Sequence, residues 1–150
     1  MKKLRKSKNK QRRQQIYNTA DFLIKELKKH NIVVQRYNSR SSNSIYLKLD
    51  YGVLNSIRIS DHKGKDHLKY KYNALTVCPY PISTKNKTRF GEVVRHYVPV
   101  REKEVLLNLV LQDRSEKKDS YGERNYRTYM DLKVAENYAK TGFWQHGEIV

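Results

Sequence analysis

Three successive runs between residues 44 and 75 alternate apolar with polar residues, and this alternation constrains the fold more than any other feature of the chain. A period of two places successive side chains on opposite faces of a β-strand. Turn-forming residues separate the runs, so neighbouring strands are expected to pair antiparallel. The apolar set comprises Ile45, Leu47 and Leu49, then Ile57 and Ile59, then Leu68, Tyr70, Tyr72 and Ala74. The pattern therefore predicts a β-meander with one dry face.

The polar positions of the same runs predict a second face that is basic and carries tyrosine. Tyr46 shares this face with Lys48, so base stacking and a place at the rim of the core are both open for it. Tyr70 shares the face of Leu68, which favours the core. The runs Ile32–Tyr37 and Glu92–Tyr97 also have strand character, whereas the proline-containing segment 76–88 predicts a long loop. We expect about four strands in the meander.

Helices are predicted on both sides of this sheet-forming region. One apolar stripe joins Ile16, Ala20, Leu23, Ile24 and Leu27, and Asn31 is a suitable stop for that helix. A second amphipathic pattern covers roughly residues 101–116, and a third helix is expected over 123–132 after a break at Gly122. The fold class is α+β: an N-terminal amphipathic helix, an antiparallel meander and C-terminal helices packed on the sheet. Residues 14–150 form a single domain in this prediction.

Positive charge is concentrated in the first ninety residues. The chain carries 32 Lys and Arg against 15 Asp and Glu, a net charge of +17 on 150 residues. The net charge is +11 over residues 1–40, +6 over 41–90 and zero over 91–150. Such an excess is larger than solubility requires and indicates a polyanionic partner. Its segregation indicates a basic arm and a basic face.

Residues 1–13, which we call the basic arm, are predicted to be disordered in the free chain. Between Lys2 and Arg13 there are eight cations, no acidic residue and one large apolar residue, Leu4. Such a segment cannot bury enough surface to fold by itself. We expect it to order as an extension of the first helix when it lies on phosphates.

The string from Asp61 to His67 has two interpretations. In the first, Asp61, His62 and His67 bind a metal ion or supply a general base for phosphodiester cleavage, with Lys63 or Lys65 on the phosphate. In the second, the string is a hairpin turn in which His62 caps a backbone group or contacts phosphate directly. The second is favoured, because metal sites usually draw further ligands from other elements.

Other classes of function find little support in the sequence. The single Cys78 cannot form an internal disulfide, which fits a reducing cytoplasm. The histidines match no zinc-ligand spacing, and the six glycines form no nucleotide-binding fingerprint. No run approaches the roughly 18 apolar residues that cross a bilayer. We expect a cytoplasmic protein without a cofactor, a metal or a membrane partner, and the oligomeric state stays open.

Three short strings resemble those of small proteins carried by phages and mobile elements of Gram-positive bacteria. They are Ser44–Leu47, Ile57–His62 and Tyr70–Tyr72, so this resemblance covers residues 44–72. The layout of basic arm, helix and twisted antiparallel sheet is similar to that of type II anti-CRISPR proteins, which inhibit Cas9. The likeness to anti-CRISPR proteins is one of layout and charge. It implies that the arm and the sheet face engage guide RNA, or the Cas9–guide complex, in a bacterial host cell.

The leading hypothesis is a non-enzymatic protein that binds nucleic acid, RNA in preference to DNA, or a nucleic-acid–protein complex. The alternatives are a small metal-dependent nuclease centred on Asp61, His62 and His67, or a structural basic protein that coats RNA or DNA. The candidate nucleic-acid-binding residues are Lys2, Lys3, Arg5, Lys6, Lys8, Lys10, Arg12, Arg13, Arg36, Arg40, Tyr46, Lys48, Arg58, His62, Lys63, Lys65, Lys69 and Lys71.

Overall fold

Three helices and a twisted antiparallel sheet make up the computed structural model, which describes residues 2–40, 42–60, 67–73, 93–139 and 148–150. The chain order is α1 (Lys2–Lys29), β1 (Val34–Asn38), β2 (Ile45–Leu49), β3 (Asn55–Ser60), β4 (His67–Asn73), β5 (Val93–Pro99), α2 (Lys103–Tyr121), α3 (Glu123–Ala139) and β6 (Glu148–Ile149). Short 3₁₀ turns at Asp50–Gly52 and Val100–Glu102 follow β2 and β5. The predicted α+β class is confirmed.

The described strands form one sheet in the order β5-β4-β3-β2-β1-β6. All neighbouring pairs are antiparallel. The meander has five strands in the described ranges, where about four were predicted. The additional strand is β5, which contains most of the run at residues 92–97 and pairs with β4. β6 adds a two-residue pairing beside β1. The predicted loop over 76–88 lies outside the described residues.

The predicted dry face of the sheet is buried under α1 and α2. Its described side chains on β2, β3 and β4 are 0% exposed: Ile45, Leu47, Leu49, Ile57, Ile59, Leu68 and Tyr70. The side chain of Tyr72, and Ala74, which were predicted for the same face, lie outside the described part of the structure. The helices complete this core with Ile16, Ala20, Leu23 and Leu27 from α1 and Leu106 and Val110 from α2. Each such side chain stabilises the fold by about 1.5–3 kcal/mol when buried. The alternation of the sequence is thus realised as a single core.

The C-terminus of α1 is closed by a left-handed residue. Asn31 has φ 59°, and its amide donates to the Lys28 carbonyl at 3.0 Å. The amide of Ile32 donates to the Leu27 carbonyl at 3.2 Å, and its side chain is buried. This pair of bonds is a Schellman motif, which satisfies carbonyls that the helix end leaves open. The predicted stop at Asn31 is confirmed.

The N-terminal part of α1 extends the packed part of the helix. The backbone is helical from Lys2, and the disorder expected for residues 1–13 in the free chain stays a prediction. Lys, Arg and Gln are good helix formers, so the segment continues the hydrogen-bond ladder of the packed part of the helix. Among the side chains that the structure describes, from Lys10 onward, Ile16 is the first that is buried, and residues 10–15 are all exposed. The 28 residues of α1 span about 42 Å, well beyond the length of a five-residue strand.

The two C-terminal helices are longer than predicted and meet at Gly122. This glycine has φ 82°, which favours glycine, and its amide donates to the Lys118 carbonyl. α2 packs on the sheet, and α3 packs against α2 and the Asp50–Gly52 turn. A small cluster of Val53, Tyr121, Tyr126 and Tyr129 lies at that contact. In the described part of the chain, no helix combines the length and apolar character needed to cross a membrane.

Candidate functional site

The side of the sheet opposite α1 and α2, which we call the outer face, carries a continuous row of aromatic and cationic residues. The strand register pairs Tyr37 with Tyr46, Tyr46 with Arg58, Arg58 with Lys69, and Lys69 with Tyr97. Directly paired residues share a face, with Cβ atoms about 4.5–5.5 Å apart. These five residues, the central row, therefore cross five strands, a width of about 19 Å at the usual strand spacing.

Contacts within the central row join its rings to its cations. The Arg58 guanidinium carbon lies 5.5 Å from the centre of the Tyr46 ring, and the Tyr37 and Tyr46 ring centres are 6.4 Å apart. At the other end, the His67 and Tyr97 rings are 6.1 Å apart, and Tyr97 is 62% exposed. Aromatic faces can stack bases, and nearby cations can hold phosphates. The row thus presents both groups that a single-stranded nucleic acid requires.

The outer face has charge of one sign. Among its described strand positions there is no Asp or Glu, whereas Arg58 and Lys69 stand in its centre. The Arg58 Nε atom is buried and has no hydrogen-bond partner in the described part of the structure. Buried donors are nearly always paired in proteins, so such an atom marks a place where a partner can still be gained.

The side chain of Lys71 lies outside the described part of the structure. The predicted residues Tyr46, Arg58 and Lys69 are brought together on one face, but Lys48 is not available in the same way. It shares the face, yet it is only 8% exposed. Gly52 lies so close that a Cβ atom on it would come within 2.9 Å of the Lys48 Cε atom. The 3₁₀ turn after β2 covers this lysine, which is a correction to its predicted role as an exposed phosphate ligand.

Arg36 is also placed differently from the prediction. Alternation along β1 puts it on the helix side of the sheet, where its guanidinium forms an ion pair of 3.1 Å with Asp21 of α1. Its Cζ atom lies 5.6 Å from the centre of the Tyr17 ring. Arg36 therefore connects β1 to α1 and does not join the outer face.

The loop between β1 and β2 links the outer face to the basic arm. Arg13 of α1 donates from Nε to the Asn43 side chain in this loop at 3.3 Å. Arg40 is exposed in the same loop, and Lys10 and Arg12 are exposed on α1. Tyr37 and Tyr46 form the second residue pair of the β1–β2 hairpin, counted from this loop. The C-terminal end of the arm thus contacts the loop that lies next to one end of the central row.

The predicted turn cluster is only partly covered by the structure. Asp61, His62, Lys63 and Lys65 lie outside the described residues, whereas His67 begins β4 on the outer face. Within the described ranges, no three His, Cys, Asp or Glu side chains gather closely enough to hold a metal ion. The nuclease interpretation of this turn stays a hypothesis.

A buried polar network, which the sequence analysis missed, joins the helices to the sheet. Asp50 is 0% exposed, accepts hydrogen bonds from the Val33 amide and the Tyr126 hydroxyl, and pairs with Arg114 at 2.9 Å. Arg114 also donates to the carbonyls of His30 and Asn31 at 3.1 and 3.3 Å. The two carbonyls belong to the C-terminal end of α1. One guanidinium therefore ties α2 to α1 and to the turn after β2.

A second ion pair in the network lies on the apolar stripe of α2. Lys117 contacts Asp113 at 3.2 Å and donates to the Val53 carbonyl, and Asp113 also accepts from the Tyr70 hydroxyl at 2.6 Å. Burial raises the pKa of the Asp113 carboxyl and lowers the pKa of the Lys117 amine, and the attraction between the two charges opposes both shifts. Leu106, Val110, Asp113 and Lys117 have helical spacing, so two charges on an apolar stripe were the signal available in the sequence.

Comparisons with known proteins give no indication of function, so the functional conclusion rests on the geometry of the site. Among the described strand positions of the outer face there are cations and no Asp or Glu, whereas Asp50 and Asp113 of the core are each engaged in an ion pair. The chain matches no protein-family model, and no curated protein or solved structure is significantly similar to it.

Proposed function

We propose that this protein binds single-stranded nucleic acid without cleaving it, through the outer face of its sheet and the basic arm. The observation that carries the proposal is the central row, in which three tyrosines and two cations cross five paired strands with no acidic residue among them. An open antiparallel sheet with aromatic residues on its free face is a recurring platform for RNA bases.

The charges of the surface explain why the ligand is a polyanion. Each phosphate that Arg58, Lys69 or the arm neutralises releases condensed counterions, so the affinity falls steeply as salt increases. Such contacts position the strand and do not read its sequence. The tyrosines add stacking that every base can make. RNA is the preferred ligand in this proposal, because unstacked bases are more accessible in its loops and single strands.

A nucleic-acid–protein complex is one form that the partner can take. The layout of the chain, with a basic N-terminal helix followed by a twisted antiparallel sheet, resembles that of Cas9 inhibitors. Support for such a role would come from co-elution of the protein with a Cas9–guide RNA complex and from inhibition of target cleavage. Binding to free RNA with equal affinity would instead favour a general RNA-binding protein.

The role of the outer face is tested with two double variants of equal charge. Arg58→Gln with Lys69→Gln removes two cations from the central row. Lys25→Gln with Lys28→Gln removes two exposed cations from α1. Binding to a fluorescent single-stranded RNA is measured across a salt series. We expect the first variant to lower the slope of log K against log salt by about 1.4, since each lost phosphate contact contributes about 0.7, and the control to leave it nearly unchanged.

The role of the arm is tested by replacing its eight cations with Gln, which retains helix-forming residues. We expect weaker binding and a smaller salt slope at unchanged stability. An unchanged affinity and slope would remove the arm from the proposal. Incubation of labelled RNA with a divalent metal decides the nuclease alternative: cleavage that His62→Ala abolishes would replace binding by catalysis as the function.

A further inference from the structure

A second basic site lies at the opposite end of the molecule from the β1–β2 loop. A cavity of about 830 Å³ opens between the C-terminal half of α2, the first half of α3 and the 3₁₀ turn after β2. This volume lies in the range of small-molecule sites. Four cations and two carboxylates contribute to its lining, namely Arg114, Lys118, Arg124, Arg127, Glu123 and Asp131. We call it the α3 pocket.

The inner part of the α3 pocket is held rigidly by the buried network. Arg114 is fixed by Asp50 and by two carbonyls at the end of α1, and its side chain is 15% exposed. Three of its five N–H groups are engaged in these bonds, so two stay available for an acceptor. Its Cζ atom lies 5.9 Å from the Tyr126 ring centre, and the Lys118 Nζ atom lies 5.5 Å from the same centre. Two cations are thus positioned around one ring.

The outer cations of the pocket are not neutralised by their helical neighbours. Arg127 is spaced four residues from both Glu123 and Asp131, an arrangement that commonly gives ion pairs on a helix surface. Among the described side chains, however, neither Arg124 nor Arg127 forms an ion pair within 4.0 Å. The first turn of α3 lines the pocket as well, and its backbone N–H groups carry partial positive charge. Among the described side chains, an anion entering here meets two guanidinium groups, those of Arg124 and Arg127, that form no ion pair.

We propose that the α3 pocket binds a nucleotide through its phosphate. Arg124, Arg127 and Lys118 contact the phosphate oxygens, for which planar guanidinium groups are well suited. The two carboxylates accept hydrogen bonds from ribose hydroxyls or base amino groups, donors that an inorganic anion lacks. Tyr51 contributes an aromatic side chain to the wall of the pocket, and Met130 contributes an apolar one. The mixed lining therefore fits a nucleotide better than a bare phosphate ion.

This site is independent of the outer face. Its residues belong to α2, α3 and the 3₁₀ turn, and none is in the central row. The ligand is either a free nucleotide or the phosphorylated 5′ end of a nucleic acid, since both present a phosphate beside a ribose and a base.

Isothermal titration of the full chain with ADP, adenosine, inorganic phosphate and a 5′-phosphorylated dinucleotide tests the inference. We expect saturable binding of ADP, none of adenosine, and at least a tenfold loss of ADP affinity in Arg124→Gln with Arg127→Gln. The double variant Lys25→Gln/Lys28→Gln serves as the control of equal charge and should bind ADP normally. Circular dichroism verifies that each variant is folded.

Several outcomes would overturn the proposal. Failure of both ADP and the dinucleotide to bind at millimolar concentration removes the site, and ADP affinity that survives the Arg124/Arg127 substitutions places binding elsewhere. Inorganic phosphate that binds as tightly as ADP excludes the nucleotide assignment. Tighter binding of the dinucleotide than of ADP would identify a nucleic-acid end as the source. Failure of the outer face in RNA binding would leave all these results unchanged, so the two proposals fail separately.

Discussion

The buried network and the outer face both consist of charged residues and tyrosines, but they arrange them in opposite ways. In the network, each described acidic residue is paired with a cation, and Asp50, Asp113 and Lys117 are at most 6% exposed. On the outer face, cations stand beside tyrosines, and the described strands provide no carboxylate. Charge of both signs connects elements of the fold, whereas the described strand positions of the outer face carry charge of one sign.

The difference also has energetic consequences. Removing one partner of a buried ion pair leaves an uncompensated charge in a medium of low polarity, which is strongly destabilising. Substitution of a partly exposed residue usually changes stability by about 0.5 kcal/mol or less. Variants in the two regions are therefore expected to separate stability from binding.

The largest effect is expected for Asp113→Ala. This substitution leaves Lys117, which is 1% exposed, without its carboxylate and removes the closer of two acceptors of the Tyr70 hydroxyl, the other being the Leu54 carbonyl at 3.1 Å. We expect the free energy of unfolding, measured by urea denaturation, to fall by about 3–5 kcal/mol. The double variant Asp113→Leu with Lys117→Met removes both charges and should recover most of the loss. A single variant within about 1 kcal/mol of the parent protein would contradict the structural role of the pair.

A smaller loss of stability, with a pH signature, is expected for Tyr126→Phe. The Tyr126 hydroxyl donates to the buried Asp50, so its removal should cost about 1–3 kcal/mol. Burial beside Asp50 raises the pKa of this hydroxyl above 10.0, and the folded protein therefore keeps a proton that the unfolded chain loses. The stabilisation is complete below this pH and falls as the pH rises beyond it.

Chemical denaturation of the parent and Tyr126→Phe proteins between about pH 7 and about pH 11 checks this sign. The difference between the two should be constant up to about pH 9 and should shrink above about pH 10. A difference that grows with pH in this interval would contradict the assigned hydrogen bond.

On the outer face, Tyr97→Ala should act on binding alone. Tyr97 is 62% exposed, so we expect little change in the free energy of unfolding. Loss of one stacking platform should weaken single-stranded RNA binding by about 1–3 kcal/mol, with the salt slope preserved because no charge is removed. Tyr97→Phe retains the ring and should bind like the parent protein. Equal affinities of the Ala and Phe variants would exclude stacking at this position.

The smallest effect is expected for Arg36→Gln. Arg36 pairs with Asp21 on the helix side of the sheet, and the Asp21 side chain is 69% exposed. Such a pair contributes at most about 1 kcal/mol to stability. Because Arg36 lies away from the outer face, RNA affinity should change by less than a factor of about two, in contrast to Arg58→Gln. A comparable loss in both variants would show that net charge, and not the central row, controls binding.

The candidate site could be predicted from the sequence only in part. Tyr46, Arg58 and Lys69 were recognised because alternation assigns each to the polar side of its own strand. Tyr97 was not, because its place beside Lys69 depends on the pairing of β5 with β4, whose residues are far apart in the chain. Lys48 satisfies the same alternation and is nevertheless buried, since the backbone at Gly52 folds over it.

The sequence by itself determined the periodic elements of this protein. Helical spacing from Ile16 to Leu27 and the alternation from Ile45 to Ile59 are local patterns, and each specifies one buried face before any long-range contact forms. Only the tertiary structure decided which cations face Asp or Glu and which do not. Arg114 and Asp50 are 64 residues apart in the chain, and the central row draws its five residues from five strands. Which residues become neighbours in this way depends on strand register and helix packing. The local periodicity of the sequence contains no information about either.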